Sequence, residues 1–122
     1  MRLTGRARIA AAATSLLLAV PAGLAVGVGT ASATASCGQA GAYRDGTTVT
    51  MTAGVAANMR SGSSTSCAVK GWADNQDTLV YWCYTRNDSG STWTYLYNSH
   101  DRTYGWVSDS LLPNGGAHAT CG

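Results

Sequence analysis

The chain has 122 residues, eight Lys and Arg against six Asp and no Glu, and a net charge of +2. Three of the arginines stand at the extreme N-terminus, at Arg2, Arg6 and Arg8, so the rest of the chain is nearly neutral and slightly acidic. That balance excludes the basic patch a nucleic acid or an anionic lipid surface would need.

Residues 1–35 read as a secretory signal peptide. The three arginines form a positive n-region, and Ile9 to Val28 is a run rich in Ala, Leu and Val. Ala31-Ser32-Ala33 and Ala33-Thr34-Ala35 are overlapping A-x-A cleavage sites. The exported protein is expected to start at Ser36, with Thr34 as second choice. Arg6 and Arg8 are not adjacent, which points to general secretion instead of a twin-arginine route. No later apolar stretch is long enough to span a membrane, so no membrane attachment is expected after cleavage.

The remainder is one domain of 36–122. A chain this short buries a limited core and leans on covalent staples. Cys37, Cys67, Cys83 and Cys121 all fall in the exported part, and an even count in a small secreted chain reads as two disulfides. There is no C-x-x-C, and only His100 and His118 stand available to complete a zinc site, so no metal and no cofactor are expected.

Helical apolar spacing is not sustained anywhere after residue 36, whereas β-branched and aromatic runs alternate with turn clusters. Five strands are predicted: Thr47 to Thr52, Val69 to Ala73, Thr78 to Tyr84, Trp93 to Tyr97 and Tyr104 to Ser108. Asp74-Asn75-Gln76-Asp77 reads as the turn of a hairpin joining the second and third. Turns follow at Arg86 to Ser91 and at Asn98 to Arg102. Five short strands with polar turns fit an all-β, small antiparallel barrel stapled by two disulfides.

Alternation assigns faces. Thr94 and Leu96 share one side of their strand, and Trp93, Tyr95 and Tyr97 the other. In the last strand Gly105 and Val107 lie opposite Tyr104 and Trp106. The aromatic side reads either as an open binding face or as a second core lying under a loop or a terminal tail.

The hairpin predicted at Asp74–Asp77 sets Cys67 opposite Cys83. The ends of a barrel lie close together, so Cys37 is expected to pair with Cys121.

Catalytic patterns are sparse. The six Asp lie in or near predicted turns, where carboxylates serve structure, so a glycosidase pair is not expected. His100 beside Asp101 reads as a solvated turn, and no G-x-S-x-G elbow accompanies it. Asn87-Asp88-Ser89 matches a glycosylation sequon and is taken as turn chemistry. Asp74 to Asp77 is too short for a calcium loop. No enzyme activity is expected.

Two motifs carry a resemblance. Ala57-Asn58-Met59-Arg60-Ser61-Gly62-Ser63-Ser64-Thr65-Ser66 resembles the L-N-V-R-S-G-P-S-T-S opening of the bacterial SH3-like domain, with Met59 at an inward valine position and Ser63 at a proline. Gly105-Trp106-Val107-Ser108 resembles its closing G-W-V strand, and Trp93 lies in an element similar to its G-W-x-x-V. Ser110-Leu111-Leu112 stands where the family often has S-x-Y-L, so a tyrosine is missing. The resemblance implies a five-stranded SH3-like barrel over 49–113, with 36–48 as an N-terminal flank and 114–122 as a C-terminal tail. It also implies a secreted bacterial binding module, monomeric and non-catalytic, acting at the cell envelope on a cell-wall peptide or glycan. The alternative is a secreted protein-binding factor or inhibitor. The site it points to is a groove lined by Trp93, Trp106 and Tyr104, with Asn58 and Arg60 as polar edges.

Overall fold

The computed structural model describes residues 34–122; the n-region, the apolar run and the alanines up to Ala33 lie outside the described residues. Six strands form one antiparallel sheet: β1 (Thr48–Thr50), β2 (Ala57–Arg60), β3 (Val69–Ala73), β4 (Thr78–Arg86), β5 (Thr92–Asn98) and β6 (Thr103–Ser108). Short 3-10 turns follow at Asp109–Leu111 and Pro113–Gly115. The order across the sheet is β1-β4-β5-β6-β2-β3. Its two edges, β1 and β3, do not pair, so the sheet is not closed into the five-stranded barrel the sequence suggests. The strand added to the expected five is β2, the four residues at the head of the opening motif.

β3 and β4 are both where the sequence puts them, yet they are not a hairpin. Asp77 donates its N–H to the Asp74 carbonyl at 2.8 Å, and Asn75 and Gln76 both take positive φ, so the chain does reverse tightly. The strands then diverge, β3 to β2 and β4 to β1 and β5. A buried amide holds the corner. Asn98 Nδ2 donates to Asp77 Oδ2 at 2.8 Å and to the Trp72 carbonyl at 3.0 Å, tying the end of β5 to the turn. Asn98 is fully buried, so losing this amide would take a donor from the Trp72 carbonyl and the shorter of two donors from Asp77 Oδ2, which keeps the Asp74 N–H at 3.2 Å.

That topology rewrites the disulfides. β3 and β4 are not neighbours in the sheet, so the hairpin register that set Cys67 opposite Cys83 does not form. The bonds are Cys37–Cys67 and Cys83–Cys121, in place of Cys67–Cys83 and Cys37–Cys121, and no cysteine is free. Two disulfides belong to an oxidising, extracellular-type environment. Among the described residues no helix is long and apolar enough to cross a membrane.

The two faces of the sheet are both covered. On the inner face Met59, Leu79, Leu96 and Val107 are buried with Met51, Tyr81 and Leu112. Each fully buried aliphatic side chain here is worth about 1.5–3 kcal/mol. Met59 points inward as expected, and so do Thr94 and Leu96. The opposite face carries Trp93, Tyr95 and Trp106. A β-bulge between Tyr81 and Cys83 turns Cys83 to this same side, where Trp82 also packs.

Besides Asp77 at the corner, the fold buries a second carboxylate, Asp109, against the inner face. Thr94 Oγ1 donates to Asp109 Oδ1 at 2.6 Å and itself accepts from the Ala117 N–H at 2.8 Å, so the pair fastens the C-terminal segment to β5. Burial pushes the Asp109 carboxyl up, and the hydrogen bonds from Thr94 and Thr92 and the nearby His118 offset this only in part. A carboxyl raised in the fold contributes stability that is complete below its unfolded pKa and is lost as pH rises through the folded one. Asp109→Asn keeps the shape and the acceptor for Thr94. It is expected to remove the gain in stability that Asp109 contributes as pH falls, and to match or exceed the parent at pH 7. Urea unfolding between pH 3 and 7 checks this; an Asn variant that loses stability equally at every pH contradicts it.

Candidate functional site

The N-terminal segment decides what the aromatic face presents. Residues 35–47, the end of the expected signal peptide and most of the 36–48 flank, lie across that face as a strap. Ala35 is buried beside Trp93, Trp106 and Cys83. Trp106 Nε1 donates to the Gln39 carbonyl at 2.7 Å. Gly41 passes so close that a Cβ there would stand 2.6 Å from Tyr95 Cβ and 2.7 Å from Cys83 Sγ, so no larger residue fits without moving the strap. Arg44 and Asp45 then donate their N–H groups to the Trp82 carbonyl. From the other terminus, Cys121 joins Cys83 and donates its N–H to the Tyr84 carbonyl, while Tyr84 donates its own to the Ala119 carbonyl.

The strap splits the expected groove. Trp106 lies beneath it, 1 % exposed, and is core. Trp93, Asn58 and Arg60 remain together on one side in a cleft of about 590 Å³. Tyr104 lies outside the cleft, stacked on Tyr95 in a run of rings that reaches back to Trp106. The five residues assigned to one groove by the sequence therefore occupy three environments.

The cleft is built from loops around the ends of β2, β5 and β6. Asn58, Arg60, Ser64 and Thr65 form one wall, and Asn87, Ser89 and Ser91 the facing one. Ser108, Ser110 and Leu111 close it beside Trp93, which shows only an edge. Eight of its twelve lining residues are Ser, Thr or Asn, so the walls offer neutral donors and acceptors instead of fixed charge. Arg60 is partly spent on its own loop: Nη1 donates to the carbonyls of Thr65 at 3.0 Å and Cys67 at 2.9 Å. Its shift in pairing against β3, a bulge between Met59 and Arg60, turns it toward that loop. Asn87 braces the opposite wall. Its Oδ1 accepts from the N–H groups of Ser89 and Ser91, and its Nδ2 donates to the Ser63 carbonyl at 2.9 Å. The sequon thus marks a self-capped turn joined to the loop across the cleft.

The second cluster is a run of rings. Trp82 packs edge-on against Tyr43 at 5.1 Å and Tyr104 at 5.0 Å, and Tyr97 meets Tyr104 at 4.7 Å. Tyr43 is 62 % and Tyr104 37 % exposed. Such pairs contribute about 0.5–1.5 kcal/mol each beyond area burial. Tyr43 belongs to the strap, so it joins the Trp82, Tyr97 and Tyr104 rings of the sheet only when the strap is seated.

Other candidate groups do not assemble. His100 Nε2 stands 3.9 Å from Asp101 Oδ1 on an exposed turn, as expected. Among the described residues no three His, Cys, Asp or Glu side chains cluster as metal ligands would. His118 donates its backbone N–H to Asp45 Oδ2 at 2.8 Å, a link between tail and strap.

No protein-family model, no curated protein and no solved structure matches this chain.

The hydroxyl and amide residues at 87–91 and 108–110 were not singled out by the sequence as binding residues. The one available signal was the density of Ser and Asn in two turns that the strand order brings beside the opening motif.

Proposed function

We propose that this is a secreted, non-catalytic binding module that acts at the bacterial cell envelope, and that the cleft between Asn58 and Leu111 is where it holds a cell-wall peptide or glycan. The observation that carries this is the composition of the cleft: neutral hydroxyl and amide groups around one tryptophan edge and one arginine. Sugars and short peptides are bound by such a mixture, through many weak neutral hydrogen bonds beside an apolar surface. The part of the Arg60 guanidinium not spent on Thr65 and Cys67 suits a carboxylate at the cleft edge. The signal-like N-terminus and the two disulfides support export. The likeness of 57–66 and 105–108 to the SH3-like motifs supports a binding role, with Met59 inward and β2 paired to β6 at Arg60 and Trp106.

Sedimentation with purified peptidoglycan tests it. Asn58→Ala combined with Leu111→Ala removes exposed cleft groups and is expected to weaken binding about tenfold with the thermal midpoint within a few degrees of the parent. Unchanged sedimentation of that folded variant removes the cleft as the site. The alternative, a partner protein, is favoured by one observation: the exposed rings of Tyr43 and Tyr104, a kind of residue enriched at protein interfaces.

A further inference from the structure

Ala35 is treated by the fold as an internal residue. It is 3 % exposed and packs with Trp93 and Trp106. Its N–H donates to Ser63 Oγ at 2.8 Å, and its carbonyl accepts from the Ser63 N–H at 3.0 Å. Ser63 is itself fully buried, so without Ala35 its hydroxyl and N–H would lose these partners. Gly62 completes the seat: a Cβ there would stand 2.8 Å from the Ala35 carbonyl oxygen and 2.7 Å from that of Ser36. Just upstream, Thr34 Oγ1 donates to Asp88 Oδ1 at 2.8 Å.

Two A-x-A sequences offer cleavage either after Ala33 or after Ala35. Cleavage after Ala35 would discard the residue for which Gly62, Ser63, Trp93 and Trp106 form a receptor. We infer that the export signal is removed between Ala33 and Thr34, and that the mature chain begins Thr34-Ala35 with Ala35 plugged between β5, β6 and the 61–66 loop. This reverses the preference for Ser36 and rests on the export reading above. The new α-ammonium then arises on the residue whose hydroxyl bonds Asp88, beside Ser64, Asn87 and Ser89, which also line the binding cleft. Processing therefore adds a second positive charge, besides Arg60, at the rim of the site and next to a carboxylate.

The full-length gene expressed in a secreting bacterial host, with intact-mass and N-terminal analysis of the culture medium, tests this. The expected terminus is Thr34. A terminus at Ser36, or at any other residue after signal removal, overturns the site but leaves export standing. A product that keeps Arg2 to Arg8 overturns export itself. Ala35→Glu separates the two sites further. Under this proposal cleavage still yields Thr34, since residue 35 lies beyond the cut, while the midpoint falls by roughly 10 °C from burying a charge. If Ala35 is instead the residue at the cut, the parent ends at Ser36 and the substitution abolishes that terminus, by blocking cleavage or by moving it to Thr34. Should the Glu variant fail to accumulate, Ala35→Val gives the same two readouts more mildly: an unmoved Thr34 terminus with a lowered midpoint supports the seat, and an unchanged midpoint overturns it.

Discussion

Trp106→Ala is expected to cost about 3–5 kcal/mol and to leave the domain largely unfolded at 37 °C. The indole is 1 % exposed and packs against Tyr95 at 5.1 Å. Its N–H is the donor to the Gln39 carbonyl, so truncation both opens a cavity and leaves the strap without a bond at its midpoint. A domain of this size has about 5–15 kcal/mol in total, so the loss takes a large fraction of it. Tyr104→Ala is the control. That ring is more than a third exposed and its contacts are with Trp82, Tyr95 and Tyr97 at the surface end of the aromatic run, so its loss is expected to cost about 2 kcal/mol, clearly less than the loss of Trp106. Urea unfolding of both variants checks the contrast. A Trp106→Ala protein with a midpoint near the parent would mean that the strap is not held by the tryptophan.

The second large effect is reduction. Cys37–Cys67 closes a separation of 30 residues and Cys83–Cys121 one of 38. Loop-closure entropy assigns about 4 kcal/mol to each. Both bonds anchor chain ends, the strap through Cys37 and the tail through Cys121, so breaking both releases the cover of the aromatic face from two sides. Full reduction is expected to abolish the folded state at 37 °C, and either paired Cys→Ser variant alone to lower the midpoint by 15 °C or more. Non-reducing peptide mapping is expected to find Cys37 with Cys67 and Cys83 with Cys121. A Cys67–Cys83 peptide would mean that β3 and β4 form a hairpin and that the strand order is different.

Local structure was readable where pattern alone dictates it. The alternation in 92–98 sorts Thr94 and Leu96 from Trp93 and Tyr95, because strand side chains point to opposite faces regardless of what pairs with them. The polar turns at 74–77, 86–91 and 98–102 were readable for the same reason. Pairing was not. Asp74 to Asp77 has the residues of a hairpin turn, but β3 finds β2 and β4 finds β5, and long-range partners leave no mark in the four residues of the turn. The disulfide error follows from that one step. The site was half legible: Asn58, Arg60 and Trp93 do share a cleft. Trp106 is withheld from it because the strap covers the indole, and Tyr104 because it stacks on Tyr95 away from the cleft; nothing in Gly-Gln-Ala-Gly at 38–41 says which face the strap crosses. Cys37 was the available hint, since a flank that carries a bridged cysteine must pack on something.

The measurement that bears most directly on the binding cleft is a two-dimensional NMR titration of the processed protein with soluble peptidoglycan fragments. The four tryptophans give four indole N–H signals, from Trp72, Trp82, Trp93 and Trp106. The cleft predicts shifts at Trp93, Asn58, Ser64–Thr65, Asn87–Ser91 and Ser108–Leu111, with the buried Trp106 signal far less affected. Shifts centred on Tyr43, Trp82 and Tyr104, or none at millimolar ligand, would contradict it.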